Sequence, residues 1–419
     1  MDLYLAAHIL PVSGPVVSGG GAVAARDGRI VAVGAADEVR RDLAAQGIAP
    51  ATIREHDYGD SILMPGLVNV HTHLELSWMA GEDLPSGDYV SWLRRLLELR
   101  ETRGETADVA GAARKAIESM VSRGTVAVGD VSNTLSTVAL LAESGLRGVI
   151  FHEIYRMRPE GAEERMVEVA AQVAAADQEL QRLGARDRFF IAPTPHGPHT
   201  TSPALLKALA GRAAASREPL SVHVAESRQE IDLLQHGGGD LAAFYKERDF
   251  MDDGWQPPAM SPVAHLDRLG VLSPATLAVH CVQVDRQDLA RLQERRCTVV
   301  TCPRSNARLG VGRAPIPTIM GAGIPVALGT DSLASVDNLD LFAEMAALRS
   351  DHPKLSAAAV IRMATLNGAK ALGLEEDLGS LAPGKLALMV RVPLPSPSAD
   401  PMETVTSCPE KVAPVASVP

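Results

Sequence analysis

Cysteine is scarce in this chain. Cys281, Cys297, Cys302 and Cys408 are the only four in 419 residues, with no CxxC pair and no even framework, which excludes a disulfide-stapled scaffold and points to a reducing compartment. Basic clusters are missing too. The net charge is −11 and the Lys and Arg residues are dispersed, so the electrostatic footprint of a nucleic-acid binder is absent. No stretch approaches the roughly 18 consecutive apolar residues that span a membrane, and the opening MDLYLAAHILPVSG has neither a basic start nor a long apolar run. These absences predict a soluble cytoplasmic protein whose partner is a small molecule, not nucleic acid or membrane; they leave room for a homo-oligomer. The 46% hydrophobic content is that of an ordinary globular chain, long enough for one large α/β domain and a small companion.

What is present is a repeating pattern. Between about 62 and 375, apolar strands alternate with amphipathic helices. The candidate strands are 62–71, 125–130, 148–154, 189–193, 220–225, 277–282, 297–302 and 325–329; helices such as 114–123, 163–183, 203–216 and 285–296 fall between them. Near-continuous apolar strands of this kind belong to a parallel sheet covered on both faces. Eight units predict a closed (β/α)8 TIM-type barrel over 61–375, with its chemistry at the C-terminal strand ends. No Gly-rich phosphate turn follows the first strand, which weighs against an open doubly wound sheet. Residues 1–60 read as short strands that cannot bury themselves alone. The run Leu386–Val392 after the Gly379–Lys385 turn offers a partner, so 1–60 and 376–419 are expected to form a small flanking β-sandwich.

The first barrel strand delivers His71 and His73, two residues apart and so on one side of an extended strand. Alone, such a pair would read as exposed loop histidines. Here the fifth strand also ends in His223 followed by Glu226, the sixth in His280 and the eighth in Asp331, and burying each of these without partners would cost several kcal/mol. A shared site is the economical explanation. His71, His73, His223 and Asp331 supply three nitrogens and an oxygen, a donor set suited to zinc or ferrous iron, which lowers the pKa of a bound water toward neutrality. Glu226 is the candidate proton shuttle, His280 a group that orients the water or polarises the electrophile, and Asp331 both ligand and proton acceptor.

Together, Pro65-Gly66 ahead of His71-Thr-His73, the pair His223 and Glu226, His280, and Gly329-Thr-Asp331-Ser332 resemble the amidohydrolase superfamily, in its branch of cytosine, guanine, S-adenosylhomocysteine or adenosine-type deaminases and triazine chlorohydrolases. The fourth strand carries no lysine for carbamylation, so the resemblance implies one divalent ion. It also implies that His196 contacts substrate. His199 stands where adenosine-type members carry Tyr, and the segment Glu82–Leu93 resembles the family's sugar-binding loop around Trp92; but Ser91 precedes Trp92 and the nearest upstream acid is Asp88. The segments Leu74-Glu-Leu-Ser77, Phe151-His-Glu153 and Thr301-Cys-Pro-Arg-Ser-Asn306 look most like aminodeoxyfutalosine deaminases of menaquinone biosynthesis, enzymes that act on an adenine nucleoside with a carboxyphenyl tail. In that reading Glu153 accepts from the ribose, and Arg156, Arg158 or Arg304 meets the carboxylate. The alternatives are an S-adenosylhomocysteine or methylthioadenosine deaminase, a guanine or cytosine aminohydrolase, a triazine-type chlorohydrolase or amide hydrolase, and a metal-binding barrel without catalysis.

Overall fold

The computed structural model describes residues 1–158, 160–251 and 254–415. They fall into two compact units, Met1–Asn69 with Glu118–Ala127 and Asp340–Pro419, and Val70–Ile117 with Val128–Leu339.

In the first unit, strands from both chain ends pair. These are β1 (Asp2–Ile9), β2 (Val17–Arg26), β3 (Arg29–Ala35), β4 (Arg54–Asp57) and β5 (Ser61–Pro65). The C-terminal end adds β14 (Met389–Pro393) and β15 (Ala413–Pro414). They build one mixed sheet in the order β15-β14-β5-β1-β2-β3, with β4 beside β1. The tail enters through β14, antiparallel to β5 from Met389 opposite Pro65 to Pro393 opposite Ser61. One apolar cluster gathers Tyr4, Val23, Ile30, Leu63 and Met389; another gathers Leu3, Ala22 and Ala24 under Val39 and Leu43 of the helix Ala36–Ala45. The expected two-sheet sandwich is therefore a single seven-stranded sheet, because an amphipathic helix covers apolar residues that a second sheet was expected to cover. The expected small domain runs to 419, of which 416–419 lie outside the described residues.

The barrel strands are β6 (Leu67–Thr72), β7 (Thr125–Ser132), β8 (Arg147–Ile154), β9 (Phe189–Pro195), β10 (Leu220–Val224), β11 (Thr276–His280), β12 (Thr298–Thr301) and β13 (Val326–Leu328). They make two four-stranded parallel sheets, β6 to β9 and β10 to β13. One join is the backbone bond from His223 N–H to the His196 carbonyl, 2.8 Å. The other is made by the N–H groups of Thr330 and Asp331, both 3.0 Å from the His71 carbonyl. The sheet thus closes into a TIM-type barrel. The predicted strand 62–71 is in fact two, β5 and β6, divided at Pro65-Gly66. Glycine is required at position 66, since a Cβ there would stand 2.3 Å from a methyl of Val126.

Register places the chemistry. Strand side chains alternate, so residues just past the last ladder bond turn into the mouth, and the helix after each strand begins there. Ala225 just past β10, His280 at the end of β11 and Asp331 shortly past β13 have φ of +51°, +72° and +65°.

Candidate active site

The floor of the mouth is a cluster of buried imidazoles. His71 Nε2 lies 3.2 Å from His73 Nε2 and 3.2 Å from His223 Nε2, and Asp331 Oδ1 is 3.6 Å from His73 Nε2 and 4.0 Å from His71 Nε2. Burial, and then the neighbouring imidazoles, hold His71 and His223 well below the usual histidine range, so both are neutral and carry a lone pair. The His223 tautomer follows from its other nitrogen: Nδ1–H donates to the His196 carbonyl at 3.0 Å, leaving Nε2 as the lone-pair atom. Ser305 Oγ at 2.5 Å and Ser335 Oγ at 3.2 Å both donate to Asp331 Oδ2, so Oδ1 is the oxygen turned to the imidazoles. Asp130 pins the segment after His73. Its oxygens accept from the Leu74 N–H (2.9 Å) and Thr137 Oγ1 (2.6 Å), and burial pushes its carboxyl up to about 7.

Three imidazole nitrogens and a carboxylate oxygen converge in this buried floor, an arrangement suited to a cation held between them. Ligands about 2.0–2.1 Å from a tetrahedral ion stand roughly 3.3 Å apart, and the spacing of 3.2 Å matches. The four residues fit one divalent ion.

Beside this floor stand two further buried titratable groups, His280 and Glu226. His280 Nδ1–H donates to Asn306 Oδ1 at 2.9 Å, which turns Nε2 toward Glu226 Oε1, 3.6 Å away. Burial, opposed by His280, raises the Glu226 carboxyl above its ordinary range. Its aim is set from behind by Glu230. That carboxylate, 1% exposed, accepts the backbone N–H of Ala225 at 3.1 Å and of Glu226 at 2.8 Å. Ser227 caps the helix Arg228–His236 that carries Glu230.

The walls and roof enclose a cavity of about 320 Å³. His196 packs at a tilt of 32° against His223, with ring centroids 4.7 Å apart, and His199 lies parallel to Tyr245 at 6.4 Å. The roof helix Tyr89–Arg103 turns Trp92, Leu96 and Arg100 inward at helical spacing, and the Trp92 indole N–H donates to the Ala334 carbonyl at 2.9 Å. Arg94 ties this helix to the helix Asp240–Glu247 by a forked ion pair with Glu247 at 2.5 and 2.8 Å. Asp88 is the roof helix's N-cap, accepting from the Val90 and Ser91 N–H groups; it is a structural residue.

His71, His73, His223 and Asp331 thus converge as the sequence predicts, with Glu226 and His280 beside them. His196, Glu153 and Trp92 line the cavity. Arg156 and Arg304 do not. Arg156 is exposed beyond the end of β8, its guanidinium beside Gly161, and Arg304 bonds the Asn338 carbonyl (3.1 Å) and side chain (2.9 Å). Arg158 pairs with Asp249 at 2.6 Å. The arginines that line the cavity are Arg100 and Arg248, which sequence reasoning missed along with Asn133, Glu230, Ser305 and Asn306. Ser305 and Asn306 lie in the segment Thr301–Asn306, whose sequence does not mark them out. Glu230 had a readable signal, a carboxylate one helical turn beyond Glu226.

The sequence profile of the amidohydrolase family matches residues 62–415. A 5-methylthioadenosine/S-adenosylhomocysteine deaminase of Moorella thermoacetica is 32% identical over 399 residues, 93% of this chain and 85% of that protein. An aminodeoxyfutalosine deaminase of Deinococcus radiodurans is 34% identical over 354 residues, 82% of this chain and 79% of that protein. Among solved structures, an adenosine deaminase from Xanthomonas campestris with bound zinc superposes with a TM-score of 0.77 at 25% identity, covering 97% of this chain and 88% of its own.

Proposed function

The chain belongs to the amidohydrolase family, and from that premise we propose that it is a cytoplasmic, zinc-dependent hydrolytic deaminase releasing ammonia from the exocyclic amine of an adenine-type nucleoside, aminodeoxyfutalosine first among candidates. Ferrous iron is the other ion the donor set suits. A reading as a methylthioadenosine or S-adenosylhomocysteine deaminase is favoured by the similarity to the Moorella protein. With it goes the reading of 61–375 as the hydrolase domain and of 1–60 with 376–419 as a small β domain.

The observation that carries this reading is the pairing of a buried three-histidine, one-aspartate set with Glu226 and His280 at the closed end of one mainly apolar cavity. A bound divalent ion supplies a water acidic enough to lose a proton near neutral pH. Everything else is done by side chains. His196, Trp92 and Leu96 hold the flat base in the cavity. Glu226, whose carboxyl burial raises above its ordinary range, delivers a proton to the ring nitrogen next to the reacting carbon. His280 Nε2 faces that carboxyl and steadies the attacking oxygen; Asp331 Oδ1 takes one proton of the water and passes it to the departing amine, and Glu226 recovers the other as the carbonyl forms, so water and substrate give a carbonyl and ammonia.

The test is ammonia release by metal-replete protein from aminodeoxyfutalosine, S-adenosylhomocysteine, methylthioadenosine, adenosine, guanine and cytosine. Turnover of adenine nucleosides is expected. Silence across the panel, with one ion bound, would overturn the assignment.

A further inference from the structure

Three polar residues at the cavity wall remain outside the chemistry just described. Asn133 Nδ2 donates to Glu153 Oε2 at 2.9 Å and to the Glu153 carbonyl at 3.1 Å; on its other side, Arg100 donates to Asn133 Oδ1 at only 3.5 Å. All three line the cavity. Glu153 is 5% exposed; its Oε1 stands 3.5 Å from His223 Nδ1, but that N–H is given to the His196 carbonyl, and Oε1 has no hydrogen-bond partner among the described residues. Leaving a buried carboxylate oxygen unmatched is costly, so a ligand group is the natural partner.

The unit is held rigid from below. Glu75 accepts from Ser132 Oγ (2.8 Å), the Asn133 N–H (2.9 Å), the Thr134 N–H (3.1 Å) and Thr134 Oγ1 (2.8 Å), which locks the loop after β7 and with it the Asn133 amide. One amide therefore separates an open acceptor from an open donor. A carboxylate placed there would meet Arg100 but be repelled by Glu153; an ammonium would suffer the reverse. A pair of neighbouring hydroxyls, each both donor and acceptor, satisfies both sides at once.

We propose that Arg100, Asn133 and Glu153 form a subsite for a neutral vicinal diol, the 2′,3′-hydroxyls of the nucleoside's ribose, and that an acidic tail is bound elsewhere. This rests on the nucleoside-deaminase reading. It removes the ribose contact from the helix start at Asp88, which is spent on capping, and gives it to the wall between β7 and β8.

The experiment compares adenosine with 2′,3′-dideoxyadenosine on the metal-replete full chain, in the wild type and in Arg100→Met, Asn133→Ala and Glu153→Gln. The wild type is expected to favour adenosine by roughly 100-fold in kcat/KM, since a site built to bond hydroxyls rejects an analogue lacking them. Each variant should cut that preference to about 10-fold or less, mainly by weakening adenosine. Arg100→Lys, which keeps the charge, should restore part of it. A preference near one in the wild type, or one unchanged in all three variants, overturns the subsite. Failure of the deaminase reading looks different: no ammonia from either nucleoside. Calorimetric binding of the two nucleosides to wild type then decides, and equal or absent binding overturns the proposal.

Discussion

The floor and the roof of the cavity are built by different rules. Every floor residue sits within a few positions of the end of a barrel strand, where the ladder's register dictates which side chain enters the mouth. Roof residues come from the helices Tyr89–Arg103 and Asp240–Glu247, where any of several faces could turn inward until the packing partner is known. The floor is set by covalent order and the roof by docking. A short-range pattern can therefore reveal a metal site and still miss what the substrate's far end touches.

The strongest way to break the comparison is to empty the floor. Chelation should abolish ammonia release and lower the thermal midpoint, because an ion bound only by the folded state stabilises it; added zinc should restore both. Retained activity in metal-free protein would refute the floor's role. Next comes Glu226→Gln, expected to cost about 10³-fold in kcat with one ion still bound by metal analysis. Glu230→Gln tests whether aim matters apart from chemistry. It replaces one acceptor oxygen with an amide N–H facing a backbone N–H, and a loss of about 10- to 100-fold in kcat with KM nearly unchanged is expected; a change in KM alone would make Glu230 a substrate contact. On the roof the effects should be smaller. Trp92→Phe removes the anchor to the Ala334 carbonyl and should raise KM several-fold with kcat kept. Arg156→Ala and Arg304→Ala should each stay within about twofold of wild type in steady-state assays, since neither lines the cavity.

The same division explains what could be read in advance. Seven of the eight barrel strands lie within two residues of their expected ends, because buried parallel strands are continuous apolar runs; the first was expected as one run, 62–71, which Pro65-Gly66 divides. His71, His73, His223, Glu226, His280 and Asp331 were legible because they stand at or shortly past the ends of such runs. Ser305, Ser335 and Asn306 were not, since a hydroxyl or amide that orients a ligand from behind has no spacing of its own. The arginines were misplaced by proximity in sequence. Arg156 follows β8 directly yet points outward, whereas Arg100 reaches the cavity from a helix more than fifty residues earlier. The terminal sheet was foreseen in its parts but not in its covering, because Val39 and Leu43 become informative only once their helix is seen against Leu3 and Ala24.

Ala225, His280 and Asp331 each hold a left-handed backbone at the strand end. For side-chain-bearing residues this conformation costs roughly 1–2 kcal/mol apiece, and it recurs where three of the strands reach the chemistry. The mouth is thus a tensioned region that the rest of the fold must hold in place. Stability and aim pull against each other there: a glycine at position 225 would relax the turn yet let the neighbouring carboxylate wander. In this protein the wear of heating should begin at the mouth, with the ability to release ammonia failing before the barrel itself gives way.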